Sequence, residues 1–192
     1  MSKKNLTKIA TLGPLFKLFI IPTIFLSYFN LGLPQKVLAG LEFQWDNNGH
    51  KKLKWYQING TKRARNKIFL FLKPNDRKTG LVKISIKVPN KFKSSLKEEK
   101  ISLCKVNIGG FQSRTKCLEN TLSEIELNDD KTNIDIYPIK PLPSSKDAYA
   151  VVFKINNPQR TGLYQFHSFG QSSGKVPVSY YLGSWTLQIE QP

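Results

Sequence analysis

Two histidines, two cysteines and one dense run of cations are the residues of this chain best suited to specific chemistry. His50 lies in the polar stretch Asn47-Asn-Gly-His-Lys-Lys52, and His167 in Tyr164-Gln-Phe-His-Ser-Phe169. A serine nucleophile needs a histidine base that a third group orients. The serine beside His167, Ser168, would point to the opposite face of a strand, so the local sequence offers no Ser–His pair. No G-x-S-x-G, H-E-x-x-H or phosphate-binding glycine loop occurs. The acids Glu98-Glu99 and Asp129-Asp130 sit in polar turns, where carboxylates are ordinarily solvated. No catalytic, cofactor-binding or metal-binding residue is assigned, and the chain is expected to be a non-enzyme without cofactors. The competing reading is a polysaccharide-active hydrolase whose carboxylate pair is assembled only by the fold.

The densest cluster is Lys51-Lys-Leu-Lys-Trp-Tyr-Gln-Ile-Asn-Gly-Thr-Lys-Arg-Ala-Arg-Asn-Lys67, with seven positive charges and no acid. Lys51, Lys52, Lys54, Trp55, Lys62, Arg63, Arg65 and Lys67 together form a candidate patch for an anionic surface. Cations beside aromatic rings suit sugars and anionic headgroups. The alternative is an edge hairpin turning at Asn59-Gly60, with Trp55 in the core and the lysines keeping the edge unpaired.

Cys104 and Cys117 enclose Lys105 to Lys116, with Gly109-Gly110 near the midpoint. A hairpin turning there sets the two cysteines opposite each other, within reach of a disulfide. Closing such a loop stabilises by about 3 kcal/mol on the chain-entropy model. Two thiols fall short of a zinc ligand set, and the spacing is not that of a redox C-x-x-C pair.

The elements that must position these residues read as strands. Short alternating runs recur between turn signals, and no sustained 3.6 period appears. In Leu81-Val-Lys-Ile-Ser-Ile-Lys-Val88 the pattern places Val82, Ile84, Ile86 and Val88 on one face. Ile134 and Ile136 alternate with Asp135 until Pro138. Further strands are expected at Leu41 to Trp45, Lys67 to Leu72, Ile101 to Ile108, Ala148 to Ile155, Leu163 to Phe169 and Val178 to Ile189. Ala148 to Ile155 is apolar on both faces and reads as a central strand. Parity changes within Ile101 to Ile108, which predicts a bulge near Cys104. Only Ser94 to Lys100 has room for a turn or two of helix. The expected fold is an all-β, Ig-like antiparallel β-sandwich of seven to nine strands in one domain, residues 40–192.

Ahead of that domain, three lysines and no acid precede an apolar run from Leu15 to Leu33, and Val37-Leu-Ala39 supplies a small-x-small site. This order reads as a signal peptide over residues 1–39, cut after Ala39. An uncleaved membrane anchor is the alternative, because the run approaches the length needed to span a bilayer. Setting aside the five lysines of the leader leaves 25 basic and 13 acidic residues, a net charge of +12. Such charge favours anionic partners, although a solvated lysine surface needs none. Export takes nucleic acid off the list. The expected partners are an anionic envelope polymer or lipid surface, or an envelope protein, in periplasm, thylakoid lumen or medium. A membrane is a partner through the leader only if that segment stays uncleaved. In that exported setting the cysteine pair is expected to be oxidised.

Val151-Val-Phe-Lys-Ile-Asn-Asn-Pro-Gln-Arg-Thr-Gly-Leu-Tyr-Gln-Phe-His-Ser-Phe169, followed by Tyr181-Leu-Gly-Ser-Trp185, resembles the cyanobacterial DUF2808 family. The matching positions are Asn157-Pro158, Gly162, Tyr164, Phe166 and Leu182-Gly183, and the resemblance runs from about Lys67 to Glu190. It departs from the family pattern at Pro141-Leu-Pro-Ser-Ser-Lys-Asp147 and in the polar residues Gln165 and His167. The family is uncharacterised, so the resemblance implies an exported domain and no active site. Gly162 and Gly183 are expected at tight turns or close backbone approaches. Tyr164, Phe166 and Trp185 are expected in the core.

Overall fold

A computed structural model describes residues 50–92, 96–144, 146–174 and 176–192. The leader, its cleavage site and the expected strand Leu41 to Trp45 lie outside the described residues. No helix among the described residues is long and apolar enough to cross a membrane.

Ten strands form: β1 (Trp55–Gln57), β2 (Arg65–Leu72), β3 (Leu81–Lys87), β4 (Ile101–Asn107), β5 (Lys116–Thr121), β6 (Ser123–Leu127), β7 (Asn133–Pro138), β8 (Tyr149–Asn156), β9 (Gly162–Ser172) and β10 (Ser179–Ile189). The first sheet has the order β1-β2-β8-β4-β5 and the second β10-β9-β3-β7-β6. All strand pairings are antiparallel. The fold is the Ig-like β-sandwich expected, with ten strands among the described residues instead of seven to nine.

Alternation dictates the core. Ile68, Leu70 and Leu72 from β2, Val151, Phe153 and Ile155 from β8, and Ile101 and Leu103 from β4 face inward from the first sheet. Ile84 and Ile86, Ile134 and Ile136, Phe166, and Trp185, Leu187 and Ile189 meet them from the second. Trp185 is fully buried, and its indole Nε1 donates to the carbonyl of Phe71 at 3.1 Å, so one sheet is hydrogen-bonded to the other. The central strands β2, β8 and β4 are apolar on both faces. Their outward residues Phe69, Phe71, Ala150, Val152, Cys104 and Val106 form a second buried cluster.

Four sequence expectations need correcting. In β3, Leu81 faces the core and Val82 does not, because the pairing with β9 shifts register between Leu81 and Lys83. The change of parity in Ile101 to Ile108 is ordinary alternation in a strand buried on both sides, and β4 runs against β8 without a bulge. The extra residue lies in β5, where Leu118 has no partner between the Lys105–Glu119 and Val106–Cys117 pairs. Cys104 and Cys117 are bonded, with Cα atoms 5.7 Å apart, but they sit diagonally: Asn120 faces Cys104 and Val106 faces Cys117. Ser94 to Lys100 does hold a 3-10 turn, Glu98–Lys100, but it is not the only helical stretch, since another 3-10 turn forms at Pro74–Asp76.

Candidate functional site

The cationic run does not form one patch. Trp55 is half-buried and packs against the core, as the edge-hairpin reading requires, so its ring is not presented beside the cations. β1 is the edge of the first sheet. The turn is longer than Asn59-Gly60, because asparagines knot it. Asn66 Oδ1 accepts from the Asn59 amide at 3.0 Å, and buried Asn157 donates to the carbonyls of Asn59 and Thr61 at 2.9 and 2.7 Å. Glu190 then accepts from the Lys62 amide and donates to Gly60 O, tying the loop to the end of β10.

The charges therefore go to three places. Lys51 turns to Asp76 at 3.1 Å and to the Asn75 carbonyl, while the backbone at Lys52 lies in a parallel bridge with Ser184 of β10. Lys62 and Arg63 stay in the loop, where Arg63 donates to Gln159 Oε1 at 3.3 Å. Lys54, Arg65 and Lys67 share the outward face of the first sheet, since Leu53 and Trp55 on one strand and Asn66 and Ile68 on the next point inward.

That face gains a residue the sequence reading missed. Lys154 of β8 is exposed and stands in register with Lys67, and Arg65 is the next outward residue of β2. Like charges directly opposite across an antiparallel pair are destabilising. No acid occurs in β1, β2, β8 or β4 to relieve them. The Lys67 ammonium lies 4.9 Å from the centroid of the Phe69 ring, and Tyr56, 41 % exposed, packs beside Phe69 with ring centroids 6.1 Å apart. The outward side of the first sheet therefore carries four cations beside the buried cluster of Phe69, Phe71 and Val152, with the exposed phenol ring of Tyr56 on the edge strand. Pairing Lys67 with Lys154 requires the β2–β8 register, which the local sequence does not reveal.

The outward face of the second sheet carries different chemistry. Ser168 is buried toward the core, away from His167, as expected, and its hydroxyl has no partner among the described residues. Ser184 of β10, however, lies opposite His167, with its hydroxyl 2.7 Å from Nδ1 and 2.5 Å from the Tyr181 hydroxyl. Burial, and the neighbouring His50, hold the His167 imidazole below its ordinary pKa. Ser184 is only 3 % exposed, so its oxygen orients the imidazole and is not open to a substrate.

Among the described residues the strand register sets the carboxylates Glu126 of β6 and Asp135 of β7 opposite each other. Burial raises Asp135, but hydrogen bonds from Ser85 (2.6 Å), Lys83 (3.0 Å) and Asn133, with the Lys83 charge, outweigh it and leave the carboxyl below its ordinary pKa. A general acid needs the opposite shift. Among the described residues no three His, Cys, Asp or Glu side chains group as metal ligands.

At the β8–β9 corner, Tyr164 donates from its hydroxyl to the Arg160 carbonyl at 2.6 Å, the tyrosine-corner arrangement of Greek-key sandwiches. A depression of about 440 Å³ opens beside it, with Lys91 and Arg160 at its rim. Gly183, at φ +144°, lets the incoming chain lie against β10: a Cβ there would sit 2.6 Å from the Lys51 carbonyl oxygen. Gly162, at φ +136°, opens β9 with free space around it. Gly183 thus makes the close backbone approach expected, whereas Gly162 has a positive φ without a close neighbour.

No curated protein matches the chain. Among solved structures it is similar to BslA, described as a bacterial hydrophobin, at 10 % identity and TM-score 0.45, over 74 % of this chain and 97 % of that one. It is also similar to the collagen-binding domain of a Staphylococcus aureus adhesin, at 17 % identity and TM-score 0.37, over 71 % of this chain and 97 % of that one. The collagen-binding subdomain of the Enterococcus faecalis surface protein ACE gives 14 % identity and TM-score 0.40, over 70 % and 95 %. A family model matches residues 43–189, which takes in β1 as well as the strands from Lys67 onward, so the chain belongs to DUF2808, a family of proteins of unknown function.

Proposed function

We propose that this protein is a non-catalytic binding domain, exported to a cyanobacterial envelope or lumenal compartment, that engages an anionic surface through the outward face of its first sheet. The observation that supports this most is the in-register pair Lys67 and Lys154, with Arg65 and Lys54 beside it and no acid in the surrounding strands. Placing like charges opposite each other costs stability, and a phosphate, sulfate or carboxylate bridging them removes that cost. Tyr56 offers a ring against which an apolar sugar face or a lipid headgroup rests. The export half of the proposal rests on the leader.

Co-sedimentation of the protein with zwitterionic vesicles, and with vesicles containing anionic lipid, tests the binding. Capture by the anionic vesicles, weakened at high salt and competed by a soluble sulfated polysaccharide, is expected for recognition of a polyanion. Equal behaviour with both vesicle types and with the polysaccharide contradicts it. Direct binding to the polysaccharide without vesicle capture assigns the surface to a polymer. N-terminal sequencing of the protein recovered from cell fractions tests export: a chain beginning at Gly40 is expected, and an intact Met1 in the cytoplasmic fraction overturns it.

A further inference from the structure

We infer that His50 and His167 together bind one divalent transition-metal ion of the zinc–copper class on the outward face of the second sheet. This site is independent of the anionic-surface reading.

The two rings come from different parts of the chain. His167 is fixed in β9, whereas His50 precedes the segment Lys51–Leu53 that lies along β10 through the Ser184 amide to Lys51 carbonyl and Leu53 amide to Ser184 carbonyl bonds. Their ring centroids are 5.9 Å apart. Imidazole nitrogen binds zinc at about 2.0–2.1 Å, which places a ring centroid about 3.2 Å from the ion. Two rings on one ion therefore have centroids about 5.2 Å apart at a tetrahedral angle and at most about 6.4 Å apart when collinear. The observed separation falls inside that interval, so the spacing of the two rings fits a common ion, with His50 turning its ring toward the Nε2 edge of His167.

The shell around His167 supports the same reading. A ligating histidine is held by a hydrogen bond at its other nitrogen, which fixes the tautomer and the ring plane. Here Nδ1 is engaged by Ser184, itself bonded to Tyr181, which leaves Nε2 as the ligating atom. Tyr181 walls the site, its ring 6.1 Å from His50 and 6.4 Å from His167. The nearest cations by position are Lys51, whose ammonium is drawn to Asp76, and Lys87, in register with His167 on β3. With two protein ligands the remaining coordination positions belong to water. The ion would clip the chain entering β1 onto β9.

Calorimetric titration of Zn²⁺ alone, and of Cu²⁺ alone, into the chelator-stripped full chain tests the site. One equivalent is expected to bind, copper more tightly than zinc. His50→Gln and His167→Gln each abolish it, and Ser184→Ala, which removes only the positioning contact, weakens it about tenfold. Thermal melts of the metal-free variants show whether each is folded. Nitrogen-15 NMR of the imidazoles is expected to place the metal on His167 Nε2. Absence of binding, affinity unchanged in folded His50→Gln and His167→Gln proteins, or metal on Nδ1 overturns the inference.

Discussion

Reversing one charge in the β2–β8 ladder should make the protein more stable and less able to bind. Lys154 is exposed, lies in register with Lys67, and has no acid on the strands around it. Lys154→Glu turns a repulsive cross-strand pair into an attractive one and leaves the Lys67 contact with Phe69 in place. Cross-strand charge pairs contribute about 0.2–1 kcal/mol in either direction, so the swing is about 1 kcal/mol. For a domain of this size that raises Tm by about 3 °C. Thermal denaturation under non-reducing conditions at low ionic strength reads the shift, and 1 M salt should shrink it, because exposed charges are screened beyond about 3 Å there. The same variant should lose affinity for anionic vesicles. A Tm that falls, or a gain that salt leaves intact, refutes the reasoning that Lys67 and Lys154 repel each other across the β2–β8 pair.

Further expectations concern the frame that holds both faces. Gly183→Ala should destabilise by about 3 kcal/mol, since it strains a positive φ and drives a Cβ into the Lys51 carbonyl and Leu53; a chemical denaturation curve matching wild type refutes it. Cys104→Ser with Cys117→Ser, a pair separated by 13 residues, should cost about 3 kcal/mol, read in the same way. His167 is depressed in the folded state by burial and by His50, with Tyr181 and Lys87 also beside it. The unfolded chain therefore takes up a proton first, and stability should fall as pH drops below about 6.5, the unfolded value. In chelator-containing buffer His167→Gln should flatten that fall, and an unchanged pH profile refutes it.

Much of the sandwich was legible because its inner strands carry strong patterns. Ile84 and Ile86 alternate with polar residues, and Tyr149 to Ile155 is nearly all apolar, as a strand buried on both faces must be. The edge strands were harder. Lys116-Cys-Leu-Glu-Asn-Thr121 and Ser123-Glu-Ile-Glu-Leu127 are rich in charge because they lie at sheet edges, and the same charge hides them among loops. Bulges defeated register: the extra residue at Val82 moved Leu81 into the core, and the shift between Tyr181 and Gly183 placed Ser184 opposite His167. A hairpin counted from the turn without that shift sets Gly183 opposite His167 and conceals the hydroxyl partner. The cationic face was half legible. Seven charges fall between Lys51 and Lys67, but alternation and the asparagine knot send them in three directions, and the fourth member of the face, Lys154, comes from a strand about ninety residues away in the chain.

The most direct test of the anionic-surface account compares two charge-neutralised proteins against the same anionic vesicles. Lys67→Gln with Lys154→Gln removes the pair on the sheet, and Lys62→Gln with Arg63→Gln removes two loop charges of equal formal value. At about 1 kcal/mol per cation near an anionic surface, the sheet variant should bind about 30-fold more weakly than wild type. The loop variant should stay within about threefold, since its charges lie off the face and long-range attraction is screened. Equal losses in the two variants, or a larger loss in the loop variant, would contradict the account.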